Sequence, residues 1–146
     1  MMDRATFLRL GLLLCAFGAT LCAADTRPRA STPEIRKAVI ATIEGQMAAF
    51  RKADIGKAHG FASSELRAQK PPRVFAAIVQ QSYPEIWANV RAEFGIVRDE
   101  GKRAMVTVQV YAKDGDAAYD FTLVQEPAGW RIHGVLRHEP KKSGKA

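Results

Sequence analysis

The chain has 146 residues, a formal net charge of +7 and two cysteines, Cys15 and Cys22, both within the first 24 positions. With that segment set aside no thiol remains, which excludes cysteine nucleophiles, thiolate metal sites and redox dithiols from the body of the protein. The positive surplus sits at the ends: residues 137–146 contribute +3 and 25–30 contribute +1, so 31–136 carry only +2. A basic groove is therefore not expected on the folded body, and nucleic acid is not among the expected partners.

Arg4 and Arg9 against Asp3 make a positive opening, and residues 10–21 then carry no charge. That run suits the apolar core of a signal peptide, whereas a membrane-spanning helix takes about 20 residues. Small side chains at Cys22 and Ala24 precede Asp25, which predicts cleavage after Ala24 and a periplasmic or secreted protein that does not span the membrane. A lipoprotein and an uncleaved anchor are the competing readings. Lipid attachment wants a small residue before the cysteine, and Leu14 and Leu21 stand there instead. The resulting division is signal peptide 1–24, leader 25–30, one domain 31–138 and a basic flexible tail 139–146. A chain of that remaining length can bury about two-thirds of its unfolded surface in one core without disulfides.

Ser31 followed by Glu34 forms a capping-box pattern, with Pro33 in the first turn. Ile35, Val39, Ile43, Met47 and Phe50 then recur at helical spacing, which predicts an amphipathic helix to about Ala53. Asp54 is placed to cap a short helix over 57–61, and a further helical piece covers 65–69 before Pro71 and Pro72 stop it. Phe75, Ile78 and Val79 mark a third helix ending near Ser82, because Pro84 disfavours helical geometry in Tyr83.

Beyond Trp87 the period becomes two. Phe94 and Ile96 mark a first strand, and Ala104, Val106, Val108 and Val110 a second. Asp114-Gly115 signals a hairpin. Tyr119, Phe121 and Leu123 mark a third strand, and Trp130, Ile132 and Leu136 a fourth after a turn at 127–129. Helices followed by hairpin-connected strands predict an α+β fold, with the N-terminal helices on one face of a curved four-stranded antiparallel sheet.

The helix around 43–50, the Ala58-His59-Gly60-Phe61-Ala62-Ser63 segment, the Tyr83-Pro84 step and the closing Gly129-Trp130-Arg131-Ile132 strand resemble the bacterial family catalogued as domain of unknown function 4864. Ser64 departs from the resemblance, which has proline there. The implied fold is similar to the cone-shaped nuclear transport factor 2-like superfamily, and the family brings no established activity or catalytic residues.

Chemistry-bearing motifs are scarce. His133 and His138 are an odd number apart on one strand, which points them to opposite faces and away from a shared metal, and His59 lies in another element. No metal site and no cofactor is predicted. The sheet face away from the helices carries Thr107, Gln109, Tyr111, Asp120, Thr122, Arg131 and His133, with Met105, Val124 and Val135 sharing it. That face reads as solvated or as the seam of a homodimer. The helix-facing side is aromatic, and no strand carboxylate points into it. Tyr83, Trp87, Tyr119 and Trp130 are the candidate ligand-binding residues.

These features favour a non-enzymatic exported domain that binds a small apolar ligand or an envelope protein. A small isomerase- or dehydratase-like enzyme is the alternative. Ketosteroid isomerases on similar folds place a carboxylate inside the cone, and a β-bulge near Ala117 or Ala118 would turn Asp120 inward. A packed structural domain without a pocket is the third reading.

Overall fold

The computed structural model describes residues 27–138. The predicted signal peptide, the first two leader residues and the basic tail lie outside the described residues. In chain order the elements are β1 (Arg29–Ala30), α1 (Pro33–Arg51), α2 (Ile55–Gly60), α3 (Ser64–Gln69), α4 (Pro72–Ser82), α5 (Pro84–Trp87), β2 (Asn89–Phe94), β3 (Arg98–Asp99), β4 (Arg103–Ala112), β5 (Gly115–Glu126) and β6 (Gly129–Arg137).

The stripe read from the sequence is the buried face of α1: Val39, Ile43, Met47 and Phe50 are all buried. Its cap differs from the expectation. Thr32, not Ser31, accepts from the Ile35 N–H, because Ser31 is held at the sheet edge, donating its hydroxyl to Asp99 and its N–H to Val97. Asp54 caps α2 through the Lys57 N–H, as its position before that helix requires. Ser63 caps α3 by accepting from the Leu66 N–H.

The sheet is antiparallel and open, and it has six strands rather than four, in the order β1-β3-β4-β5-β6 with β2 also on β4. The single first strand read from the sequence is two strands on the same edge of β4. Between them Gly95 donates its N–H to Thr107 O, and a Cβ at Gly95 would lie 3.1 Å from that oxygen. This close approach interrupts the alternation, so Val97 turns into the core and Ile96 is exposed. Arg29 and Ala30, assigned to the leader, pair with Asp99 and Arg98.

From β4 as far as Ile132 the predicted faces match those observed. Ala104, Val106, Val108, Val110, Tyr119, Phe121, Leu123, Trp130 and Ile132 are buried beneath the helices. Each large apolar side chain buried this way contributes about 1.5–3 kcal/mol relative to exposure. Buried polar groups are paired: Thr42 donates to Trp130 O, Gln46 to Ala58 O, and the Asn89 amide to Met47 O and Ile86 O.

The second half of β6 departs from its predicted phase. Leu123 pairs with Ile132 but Thr122 pairs with Gly134, leaving His133 as an extra residue. This bulge reverses the faces that follow. Val135 pairs with Phe121 and turns to the helix side, while Leu136 pairs with Asp120 and is exposed, the opposite of the expected arrangement. No such shift occurs near Ala117 or Ala118, where β4 and β5 stay in register from Arg103↔Val124 to Ala112↔Gly115.

Candidate functional site

A pocket of about 190 Å³ opens between α1, α3, α4 and the bulged part of β6. Phe50 from α1, Leu66 from α3, Phe75, Ile78 and Val79 from α4, Ile86 from α5, and Ile132 and Val135 from β6 supply its apolar wall. Phe50 and Phe75 stack at 6.0 Å between ring centroids, and His59 meets the edge of Phe75 at 5.5 Å. The pocket exists here because α3 is only six residues long and ends at Gln69, so the layer over β6 is left incomplete.

Four polar residues line the pocket: Gln46, Lys70, Tyr83 and His133. The Gln46 amide donates to Ala58 O at 3.1 Å and the Tyr83 hydroxyl to Val135 O at 3.1 Å. His133 Nδ1 lies 3.0 Å from Ser63 Oγ, and its Nε2 lies 3.8 Å from Glu65 Oε2. Serine, histidine and glutamate thus stand in line, an arrangement that elsewhere activates a nucleophile. Here Ser63 is buried, serves as the α3 cap and is not part of the pocket wall, so the contact orients the imidazole instead.

The four residues singled out in the sequence are divided by the fold. Tyr83 lines the pocket. Trp87 stands behind its wall, 5.8 Å from the Phe50 ring, and borders a separate surface cleft with Glu85. Tyr119 is fully buried, edge-on to Tyr83 at 5.9 Å. Trp130 is buried under α1 and does not line the pocket.

A family model described as domain of unknown function (DUF4864) matches residues 32–144. The chain belongs to the DUF4864 family. No curated protein and no solved structure matches it. The matched span takes in every wall of the pocket in this DUF4864 domain. Ser64 donates both its N–H and its hydroxyl to Glu126 Oε2, and a proline at this position would make neither bond.

Strand phase alone placed no acid near the aromatic interior of the DUF4864 domain, and the helices supply one. Glu85 of α5 accepts from the Tyr119 hydroxyl and, at 2.8 Å, from Arg137. Burial opposes its charge, yet hydrogen bonds from Tyr119, the main chain and Arg137 together hold the carboxyl below its usual range. Burial first, and then the Glu85 charge, push the Tyr119 hydroxyl well above its ordinary value. Both groups are thereby held in their neutral-pH states, an ionised acid and a protonated phenol. Arg137, assigned to the basic end of the chain, arrives because the His133 bulge turns it to the helix side, opposite Tyr119.

Asp120, Arg131 and His133, expected together on the open face, are not brought together. Asp120 accepts from Thr107 and meets His138, while the bulge carries His133 to Ser63. Among the described residues no group of three or more histidine or acidic side chains is placed to hold a metal, and no helix is long and apolar enough to cross a membrane.

Proposed function

We propose that this domain is a binding module for a small apolar molecule, held in the pocket between α1, α3, α4 and β6. The observation that carries the reading is a concave space of about 190 Å³ whose walls are mostly aliphatic and aromatic, with a few polar groups at fixed positions. Proton-transfer chemistry is the weaker reading. Glu85 is held ionised by three donors and borders a different cleft, and Asp120 stays on the far face of the sheet.

Export fits this role. The uncharged run at 10–21 and the small residues before Asp25 support a periplasmic or secreted site of action, where a binding domain without cysteine remains functional under oxidising conditions. Helices covering one face of an antiparallel sheet support the likeness to the nuclear transport factor 2-like superfamily.

Titration of the purified protein with toluene, followed by methyl NMR shifts of Ile78, Val79 and Val135, tests the pocket. Shifts confined to those residues and lost in Ile78→Trp, which fills the space, are expected. Binding that Ile78→Trp leaves unchanged would place the ligand elsewhere.

A second reading concerns the open sheet face. Ile96 and Leu136 are exposed on either side of Met105 in one shallow groove, which supports a homodimer formed sheet to sheet.

A further inference from the structure

We infer that the pocket is specific for a compact amphipathic anion, an aromatic ring bearing one carboxylate, with the ring among the apolar side chains and the carboxylate between Lys70 and His133. The inference rests on the binding reading above and adds the chemical class of the ligand.

Size sets the first limit. A dry cavity of about 150 Å³ takes up benzene, so a pocket of about 190 Å³ accommodates one ring with a short substituent. The stacked pair Phe50 and Phe75 forms one wall, which favours a flat ring over a branched aliphatic body.

Hydrogen-bonding capacity sets the second. The Tyr83 hydroxyl and one N–H of the Gln46 amide are already committed to main-chain carbonyls. Beside the second Gln46 N–H, the lining residues that can carry positive charge are Lys70 and His133. Lys70 has no carboxylate within ion-pair distance among the described residues. The tautomer of His133 follows from Ser63. That hydroxyl is buried and already accepts from the Leu66 N–H, and among the described residues the only acceptor its hydrogen meets is His133 Nδ1. The imidazole proton therefore sits on Nε2.

Charge sets the third. The stretch 64–73, from which Leu66 and Lys70 line the pocket, carries Arg67, Lys70 and Arg73 against Glu65 alone. A cation would be repelled, and a neutral molecule would leave the ammonium unused. Glu65 does not compete strongly: its oxygen is 3.8 Å from Nε2, beyond hydrogen-bond length, and its side chain is 66% exposed and free to swing into water. An incoming carboxylate accepts from both donors at once while its ring stays in the apolar part of the pocket.

Calorimetric titration of the purified full chain at pH 7 with phenylacetate and its neutral analogue phenylacetamide tests the assignment. Phenylacetate should bind at least about tenfold tighter, a difference of about 1.4 kcal/mol. Lys70→Met should erase that preference, Lys70→Arg should retain it, and Ile78→Trp should abolish binding of both. Equal affinity for the two probes, with Lys70→Met silent, would overturn the anion assignment while leaving the apolar pocket standing. Failure of both probes, and of toluene, to bind protein whose circular dichroism shows it folded would overturn the pocket reading as well.

Discussion

Tyr119, in the middle of β5, donates its hydroxyl hydrogen to Glu85 of the four-residue helix α5. This bond joins the sheet to the helical layer from inside, and Arg137 completes it by pairing with the same carboxylate oxygen at 2.8 Å. Neither partner is near the other in sequence, and neither lines the pocket.

The Glu85 carboxyl is held below its ordinary value, so its contribution to stability is fully present above the unfolded value and is lost as pH falls through the folded one. Tyr119→Phe should therefore cost about 2 kcal/mol at pH 7, the scale of a hydrogen bond to a charged group. The cost should shrink as pH is lowered below about 4. Urea denaturation of both proteins across that range measures it, and a cost independent of pH would show that the hydroxyl acts only through packing.

Ser63 is both the cap of α3 and the partner of His133. Ser63→Ala should lower stability by about 1–2 kcal/mol, the upper part of the range for losing a cap. It should also release the imidazole, visible as a change in the His133 ring resonances. Loss of stability without that change would separate the two roles.

Gly45 lies on α1 beneath Phe61, and a Cβ there would stand 2.5 Å from the tip of that ring. Alanine improves helix propensity by about 1 kcal/mol, but overpacking costs about 1–3 kcal/mol. The main chain at Phe61 is tied to Ile132 and cannot easily withdraw. Gly45→Ala should destabilise by about 1 kcal/mol net, and a raised melting temperature would show that the ring moves freely.

Asp120 faces away from the pocket, opposite Thr107. Asp120→Asn should leave phenylacetate affinity unchanged and alter stability by under about 1 kcal/mol, as for an exposed pair. A marked loss of binding would move the site to the other side of the sheet.

The open face offers Ile96, Met105 and Leu136, and Val124 lies on the same face one strand from Met105. Light scattering across the micromolar range should report a dimer that Val124→Asp dissociates. A monomer throughout, or a dimer indifferent to that change, would rule out this seam.

The phase of β4 and β5 and the buried stripe of α1 were legible before any coordinates. Their apolar residues repeat at two and at 3.6 for many turns, and such a repeat can bury its apolar side in only one way. The His133 bulge left a fainter trace. Ile132 and Val135 are both apolar at odd spacing, with Gly134 between, and glycine inside a strand often marks a bulge. Leu136, apolar and in phase with Ile132 along an unbroken strand, masks that trace.

Glu85, Lys70 and the division of the four aromatic candidates left no comparable trace. Each depends on where a short helix ends and which strand residue it meets, and a helix of four or six residues has too few turns to display a period. Local chemistry set the elements and their faces, whereas the pocket is the space left where α3 stops short of covering β6. Only packing in three dimensions decides that, because a gap between elements belongs to no single stretch of chain.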